Sequence, residues 1–280
     1  MKIRVDQLLV DRALAESRER AQRLIRAGLV IVGEQRVDKP GQRVDADAPV
    51  RLKGEPCPYV SRGGLKLAGA LRRFGLTDLR GRIAVDVGAS TGGFTDCLLQ
   101  HGAATVWAID TGRGQLHARL REDPRVRLLE RCNARYLAPD WLDEQRVDLI
   151  AIDVSFISLR LILPPLPPLL APAGSVVALI KPQFEAGPAD VGRGGVVRER
   201  RVHRRVLADV LEFAAQTGWS AVGLCPSPLR GPAGNLEFFA HLRRRAGGDP
   251  SATLAENAIE RVLDEAYTQE ATPRAAEPGA

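Results

Sequence analysis

Two lysines and two carboxylates, Lys66, Asp153, Lys181 and Glu237, are spread through one alternating strand-and-helix pattern. Asp153 and Lys181 each close an apolar run that reads as a strand, Val147-Asp-Leu-Ile-Ala-Ile-Asp153 and Ser175-Val-Val-Ala-Leu-Ile-Lys181. Ligands of an open parallel sheet bind outside the carboxyl ends of its strands, so an amine and a carboxylate placed there can reach one crevice. Beside them lies a glycine-rich turn, Asp86-Val-Gly-Ala-Ser-Thr-Gly-Gly-Phe94. Two positive and two negative groups around such a crevice suit proton removal and alkyl transfer better than metal binding.

A strand, a glycine-rich turn and a helix start bring backbone N–H groups close to a ligand. This turn departs from the dinucleotide fingerprint G-x-G-x-x-G, because Ser90 stands at the second glycine, which argues against a nicotinamide cofactor. Asp110 ends the next strand, roughly 20 residues on, where an acidic group binds ribose hydroxyls. Asn133, after the third strand, is placed to meet an adenine edge. An adenosyl cofactor without a pyrophosphate fits these features, and S-adenosylmethionine is the expected one. Its predicted contacts are Asp86, Gly88, Ser90, Thr91, Gly92, Gly93, Phe94, Asp110, Asn133 and Asp153.

The elements that must position these groups can be read from periodicity. Residues 1–55 form a candidate small module: Val5, Leu8, Leu9 and Leu14 mark a short helix, and Ser17 caps a second over Arg18 to Arg26, stopped at Gly28. Leu29 to Val32, a Gly33-Glu34 turn and Val37 suggest a strand pair. Residues 56–60 read as a linker, overlapping the proline-bearing stretch Gly54 to Pro58. Residues 61–248 then open with a helix over Ser61 to Phe74 carrying Lys66. Strands follow at Ile83–Val87, Thr105–Ile109, Val126–Leu129, the Asp153 run and the Lys181 run, with helices over Gly92–Gln100, Gly114–Arg121 and Glu199–Thr217. Trp219–Cys225 and Leu236–Leu242 read as a closing pair of strands. The predicted fold class is α/β, a doubly wound, Rossmann-like parallel sheet preceded by a small α+β domain. Residues 249–280 are expected to form a helix over Ser251 to Tyr267 and a disordered tail from Thr272.

Composition bounds the partners. The chain of 280 residues carries a net charge of +6. Residues 1–55 hold 12 Lys/Arg against 9 Asp/Glu, residues 56–248 hold 26 against 18, and residues 249–280 hold 2 against 7. The basic excess sits in the body and favours a polyanion. Four scattered cysteines without a Cys-x-x-Cys pair argue against a zinc site or a disulfide framework, and for a reducing compartment. The N-terminus lacks an apolar signal core, and no apolar run approaches the ~20 residues that span a bilayer, so a cytoplasmic location is expected. His101, His117, His203 and His241 show no metal spacing and read as surface residues; Trp107, Trp141 and Trp219 read as core.

Several ordered segments resemble one family. Val60-Ser-Arg-Gly-Gly-Leu-Lys66-Leu, the glycine turn through Thr95, Asp123-Pro-Arg-Val and Asp153-Val-Ser-Phe-Ile-Ser158 are similar to segments of the TlyA type. So are Lys181-Pro-Gln-Phe-Glu185, Gly194-Gly-Val-Val197 and Gly234-Asn-Leu-Glu-Phe238. That family goes by the names haemolysin and rRNA methyltransferase, and its catalytic domain is of the FtsJ/RrmJ class. The resemblance implies an N-terminal RNA-binding module like that of ribosomal small-subunit protein four. It also implies a ribose 2′-O-methyltransferase acting on ribosomal RNA, at a cytidine, with Lys66, Asp153, Lys181 and Glu237 as the catalytic tetrad. In that setting Lys181 is expected to take the hydroxyl proton, since a lysine buried beside other cations can lose its own near neutrality. Lys66, Asp153 and Glu237 would orient it and the nucleophile. Arg4, Arg18, Arg20, Arg23 and Arg62 are the expected phosphate contacts, and Arg198 to Arg205 read either as a further track or as a solvated face. Two other readings compete: a non-catalytic RNA-binding assembly factor, against which the intact tetrad argues, and a membrane-active haemolysin, against which the absence of a spanning run argues.

Overall fold

The computed structural model describes residues 2–33, 35–53, 57–231, 233–245, 254 and 257–271. The expected tail from Thr272 lies outside them, as do Glu34 of the expected turn and most of the linker stretch. The chain divides into two compact units, Met1–Pro58 and Tyr59–Ala280.

In the first unit, β1 (Lys2–Arg4) leads into α1 (Val5–Asp11) and α2 (Arg18–Arg26). Ser17 caps α2 by accepting from the Arg20 N–H at 3.2 Å, and Gly28 ends the turn behind it at φ +69°. Four short strands follow: β2 (Val30–Val32), β3 (Gln35–Val37), β4 (Arg43–Asp45) and β5 (Val50–Leu52). They pair as β1-β4 and β3-β2-β5. Only the β2–β3 hairpin was legible in the sequence, because the Leu29–Val32 run and the Gly33-Glu34 turn mark it; β1, β4 and β5, also three residues each, have neither signal. Val5, Leu9, Ala21, Ile25 and Val30 form the centre of this unit's core.

The second unit begins with α3 (Arg62–Phe74), whose Leu67, Ala70 and Leu71 face inward and whose C-terminus is closed by Gly75 in the left-handed region. Then come β6 (Ile83–Val87), α4 (Gly93–Gln100), β7 (Thr105–Ile109), α5 (Ala118–Arg121), β8 (Val126–Leu129), β9 (Val147–Ile152), α6 (Leu159–Ile162), β10 (Leu170–Ile180), α7 (Pro182–Glu185), α8 (Arg200–Gln216), β11 (Trp219–Pro226), β12 (Phe238–Arg244) and α9 (Ala258–Ala271). The seven-stranded sheet has the order β11-β12-β10-β9-β6-β7-β8. β12 runs antiparallel to both β10 and β11, while the pairs from β10 through β8 are parallel. An antiparallel strand on an otherwise parallel sheet is common in this class. Its insertion carries Glu237, at the start of β12, to the edge where Lys181 ends β10.

The expected helix from Gly114 is reduced to α5, because Gly114 adopts φ +68° and its N–H is tied to Glu130. α9 packs on β11 and α8, adding Val262, Leu263 and Ala266 to the main core. Trp107 and Trp219 are core residues as expected. The histidine reading needs correction: His203 and His241 are buried, on the inner side of α8 and on β12. His203 bonds Tyr267 through Nδ1 at 2.8 Å, and His241 lies 5.3 Å from the Phe74 ring. Burial holds His241 down at about 4, so it is neutral at pH 7. Among the described residues no helix is long and apolar enough to cross a membrane.

Candidate active site

Four elements deliver the tetrad. Lys66 lies on the first turns of α3, Asp153 and Lys181 follow the ends of β9 and β10, and Glu237 precedes β12. They form two ion pairs. Lys66 Nζ lies 2.5 Å from Glu237 Oε2, with side chains only 8% and 1% exposed. Lys181 Nζ lies 2.6 Å from Asp153 Oδ1, and it donates to Ser155 Oγ at 3.0 Å. All four line a single cavity of about 740 Å³. Charged groups this well buried require partners, and each has one. Among the described residues no cluster of His, Cys, Asp and Glu could hold a metal ion.

The glycine turn forms the adjoining wall. Gly88 adopts φ +89°, and a Cβ there would come within 2.6 Å of the Asp153 carbonyl oxygen; any side chain would press the turn off β9. Gly93 is equally confined, since a Cβ would strike Ser61 Oγ at the start of α3. Ser90 is held at φ +49°, with its N–H donating to Asp110 Oδ2 at 2.7 Å. The other Asp110 oxygen accepts from the Gly112 N–H at 2.6 Å. Asp110 and Asn133 line a second cavity, of about 370 Å³, which shares Gly88, Ser90, Asp153, Ser155 and Phe156 with the first. The two cavities therefore meet at Asp153.

Two expected cofactor contacts reach neither cavity. Asp86 is fully buried, and its Oδ2 accepts from the Thr95 N–H and hydroxyl at 2.8 and 2.6 Å. It thereby anchors α4 behind the turn and lines neither cavity. Burial, with Asp153 and Asp110 nearby, pushes its carboxyl up to about 7. Gly92, at φ +95°, faces Leu116 and Leu120. Thr91, Gly93 and Phe94 do line the first cavity, as does the exposed Arg62.

Sequence reasoning passed over three contributors. Ser155 holds Lys181. Asn235, 1% exposed, accepts from the Val197 N–H and donates to the Gly195 carbonyl, fixing the Gly194–Val197 segment against the cavity. Phe156 is 91% exposed at φ +62° and stands at the mouth shared by both cavities. The signal for all three was their position inside the segments already singled out, Asp153 to Ser158 and Gly234 to Phe238.

The predicted phosphate-binding arginines separate into two kinds. Arg4 and Arg18 both donate to Asp6, a buried carboxylate that these bonds hold well below its ordinary range. Arg20 and Arg23 have no side-chain partner among the described residues. The expected track on α8 is neutralised. Arg200 and Arg204 pair with Glu260 and Asp264 of α9, Arg205 with Asp190, and Arg201 with Glu199.

Comparison with known proteins matches residues 59–244 to the FtsJ-like methyltransferase family and residues 3–50 to the S4 domain. The Bacillus subtilis protein YqxC, provisionally named an rRNA methyltransferase, is 49% identical over 95% of this chain and 94% of that protein. A Mycobacterium tuberculosis protein named 16S/23S rRNA (cytidine-2′-O)-methyltransferase TlyA is 45% identical over 94% of this chain and 98% of its own. A solved Streptococcus thermophilus structure, provisionally named a hemolysin, superposes with a TM-score of 0.76 at 46% identity, covering 96% of this chain and 97% of that one.

Proposed function

This chain belongs to the FtsJ-like methyltransferase family, and from that premise we propose that it transfers a methyl group from S-adenosylmethionine to a ribose 2′-hydroxyl of ribosomal RNA. The observation that carries the reading is the position of Lys181, held by Asp153 where the tetrad cavity meets the cavity of Asp110 and Asn133. The chemistry of the lining suits an adenosyl group with an amino-acid tail. Asp110 still has lone pairs for ribose hydroxyls, Asn133 offers an amide, and the close approach at Gly88 admits a ligand against bare backbone. S-adenosylmethionine supplies an electrophilic methyl group on a positively charged sulfur.

The protein's part is to prepare the nucleophile. An alcohol is weakly nucleophilic near neutral pH, so a base within hydrogen-bond reach accelerates its attack. Lys181 Nζ takes that proton, while Asp153 and Ser155 hold the amine in place. Lys66, held by Glu237, orients the hydroxyl or its phosphate. Among the described residues no donor reaches Glu237 Oε1, so it keeps an acceptor for the nucleophile. The S4 domain brings structured RNA, with Arg20, Arg23 and Arg62 contacting phosphates. The matched relative favours cytidine as the target.

The test is methyl transfer from labelled S-adenosylmethionine to rRNA lacking the modification, with the product mapped for ribose methylation. Wild-type chain should methylate; Lys181→Ala should lose about 10²- to 10⁴-fold in kcat while still binding S-adenosylmethionine. Near-normal turnover by Lys181→Ala would remove it as the base. Liposome leakage by the purified chain without methyl transfer would favour the membrane-active reading instead.

A further inference from the structure

The loops after β9 and β10 carry the Asp153–Lys181 pair, yet the strand ladder that aligns them stops at Ala178 and Ile152. Beyond that point their relative placement depends on side chains. Lys181 reaches Asp153 and Ser155, but those contacts belong to the reacting amine and must change as its proton comes and goes. A second set of contacts joins the same two loops without involving any reacting atom. Glu185, the last residue of α7, accepts from Ser158 Oγ at 2.6 Å and from the Leu159 N–H at 2.8 Å. The rings of Phe156 and Phe184 lie 5.0 Å apart beside it.

We infer that Glu185 is a positioning residue of the methyl-transfer site: its carboxylate clips the Asp153–Ser158 loop to the Lys181–Glu185 turn and so keeps the Lys181 amine against Asp153. The inference rests on the function proposed above. Both ends of the clip are stiff. Pro182 opens α7, and the Phe184 N–H to Lys181 and Ala186 N–H to Pro182 bonds make Lys181 through Glu185 one turn of fixed shape. Ser158 caps α6 by accepting from the Arg160 N–H at 3.1 Å, so a force on Ser158 is borne by a helix end. Between these anchors the loop passes through Phe156 at φ +62°, a conformation that a non-glycine residue holds only when its surroundings impose it. Glu185 lines neither cavity, so it acts through Lys181 and Asp153 rather than on substrate. Burial pushes the Glu185 carboxyl up from its ordinary range, opposed by the bonds from Ser158 and Leu159.

The experiment compares full-length wild type, Glu185→Ala and Glu185→Gln with labelled S-adenosylmethionine and unmethylated rRNA. Glu185→Ala should lower kcat about 10- to 100-fold, the penalty of a small misplacement, with both KM values within about two-fold. Glu185→Gln keeps an acceptor for Leu159 and a partner for Ser158, and should recover most of the rate. Should Glu185→Ala not fold, Ser158→Ala removes one of the two bonds, and a smaller kcat loss with both KM values again unmoved is expected. An unchanged kcat, a loss carried by KM, or no recovery in Glu185→Gln overturns the positioning role. A wild-type chain that does not methylate rRNA overturns the proposed function as well, so the two failures are distinguishable.

Discussion

The tetrad cavity and the outer face of α8 are both built from cation–carboxylate pairs of similar length, and they do opposite things. At the cavity, Lys66 and Glu237 are 8% and 1% exposed, at 2.5 Å. On the surface, Arg200 and Arg204 meet Glu260 at 2.8 and 2.6 Å with every partner at least 39% exposed. Water already solvates the surface ions, so pairing them adds little. At the cavity the same pairing is what permits the charges to be there. Distance alone does not distinguish a functional pair from a solvated one; burial does.

The sharpest way to break this comparison is Lys66→Ala, which leaves Glu237 without its cation in the interior. A loss of about 3–5 kcal/mol in unfolding free energy is expected, read by urea denaturation, together with loss of methyl transfer. Replacing both partners, Lys66→Met with Glu237→Leu, should return most of that stability and none of the activity. If the double variant regained turnover, the pair would be a packing element and not part of the chemistry.

Asp86 tests what a buried carboxylate does with no cation at all. Its carboxyl is raised to about 7 from 3.8, mainly by burial. A raised acid binds its proton more tightly folded than unfolded. Its contribution is therefore complete below about pH 4 and is lost as pH rises through about 7, amounting to a few kcal/mol at most. Asp86→Asn keeps an acceptor for the Thr95 N–H and should flatten unfolding free energy across that window. An equally steep pH dependence in Asp86→Asn would assign the slope to other groups.

The smallest effect belongs to the surface pairs. Arg200→Ala and Arg204→Ala should each change stability by about 0–1 kcal/mol, and rRNA affinity at moderate salt should stay within error. A marked weakening of rRNA binding with a reduced salt slope would show that α8 gives up α9 to meet phosphate, and the comparison would fail.

Much of this site was legible before any coordinates. Asp153 and Lys181 end strands whose apolar runs are nearly continuous, as strands covered on both faces must be, and this put both at the ligand edge. Gly88, Ser90 and Asp110 followed from the turn and the strand after it. Local signals failed where a residue's role is set by something distant. The arginines of α8 fitted a phosphate track and a solvated face equally until α9, 60 residues on, supplied Glu260 to Arg200. Arg4 and Arg18 looked like Arg20 and Arg23 until Asp6, in the first turn of α1, took bonds from both. His203 and His241 looked superficial because a lone imidazole has no periodicity of its own.

Residue type and spacing alone determined the alternation of strands and helices and the glycine turn, because hydrophobic period and backbone freedom are local properties; the roles of the four charged side chains rest on the family resemblance and the function proposed from it. Which charges meet was decided in three dimensions. Lys66 and Glu237 stand 171 residues apart and touch only because β12 enters the sheet antiparallel beside β10. Pairing energy, solvent exclusion and proton affinity depend on what surrounds an atom, and that surrounding exists only once the sheet has closed around it.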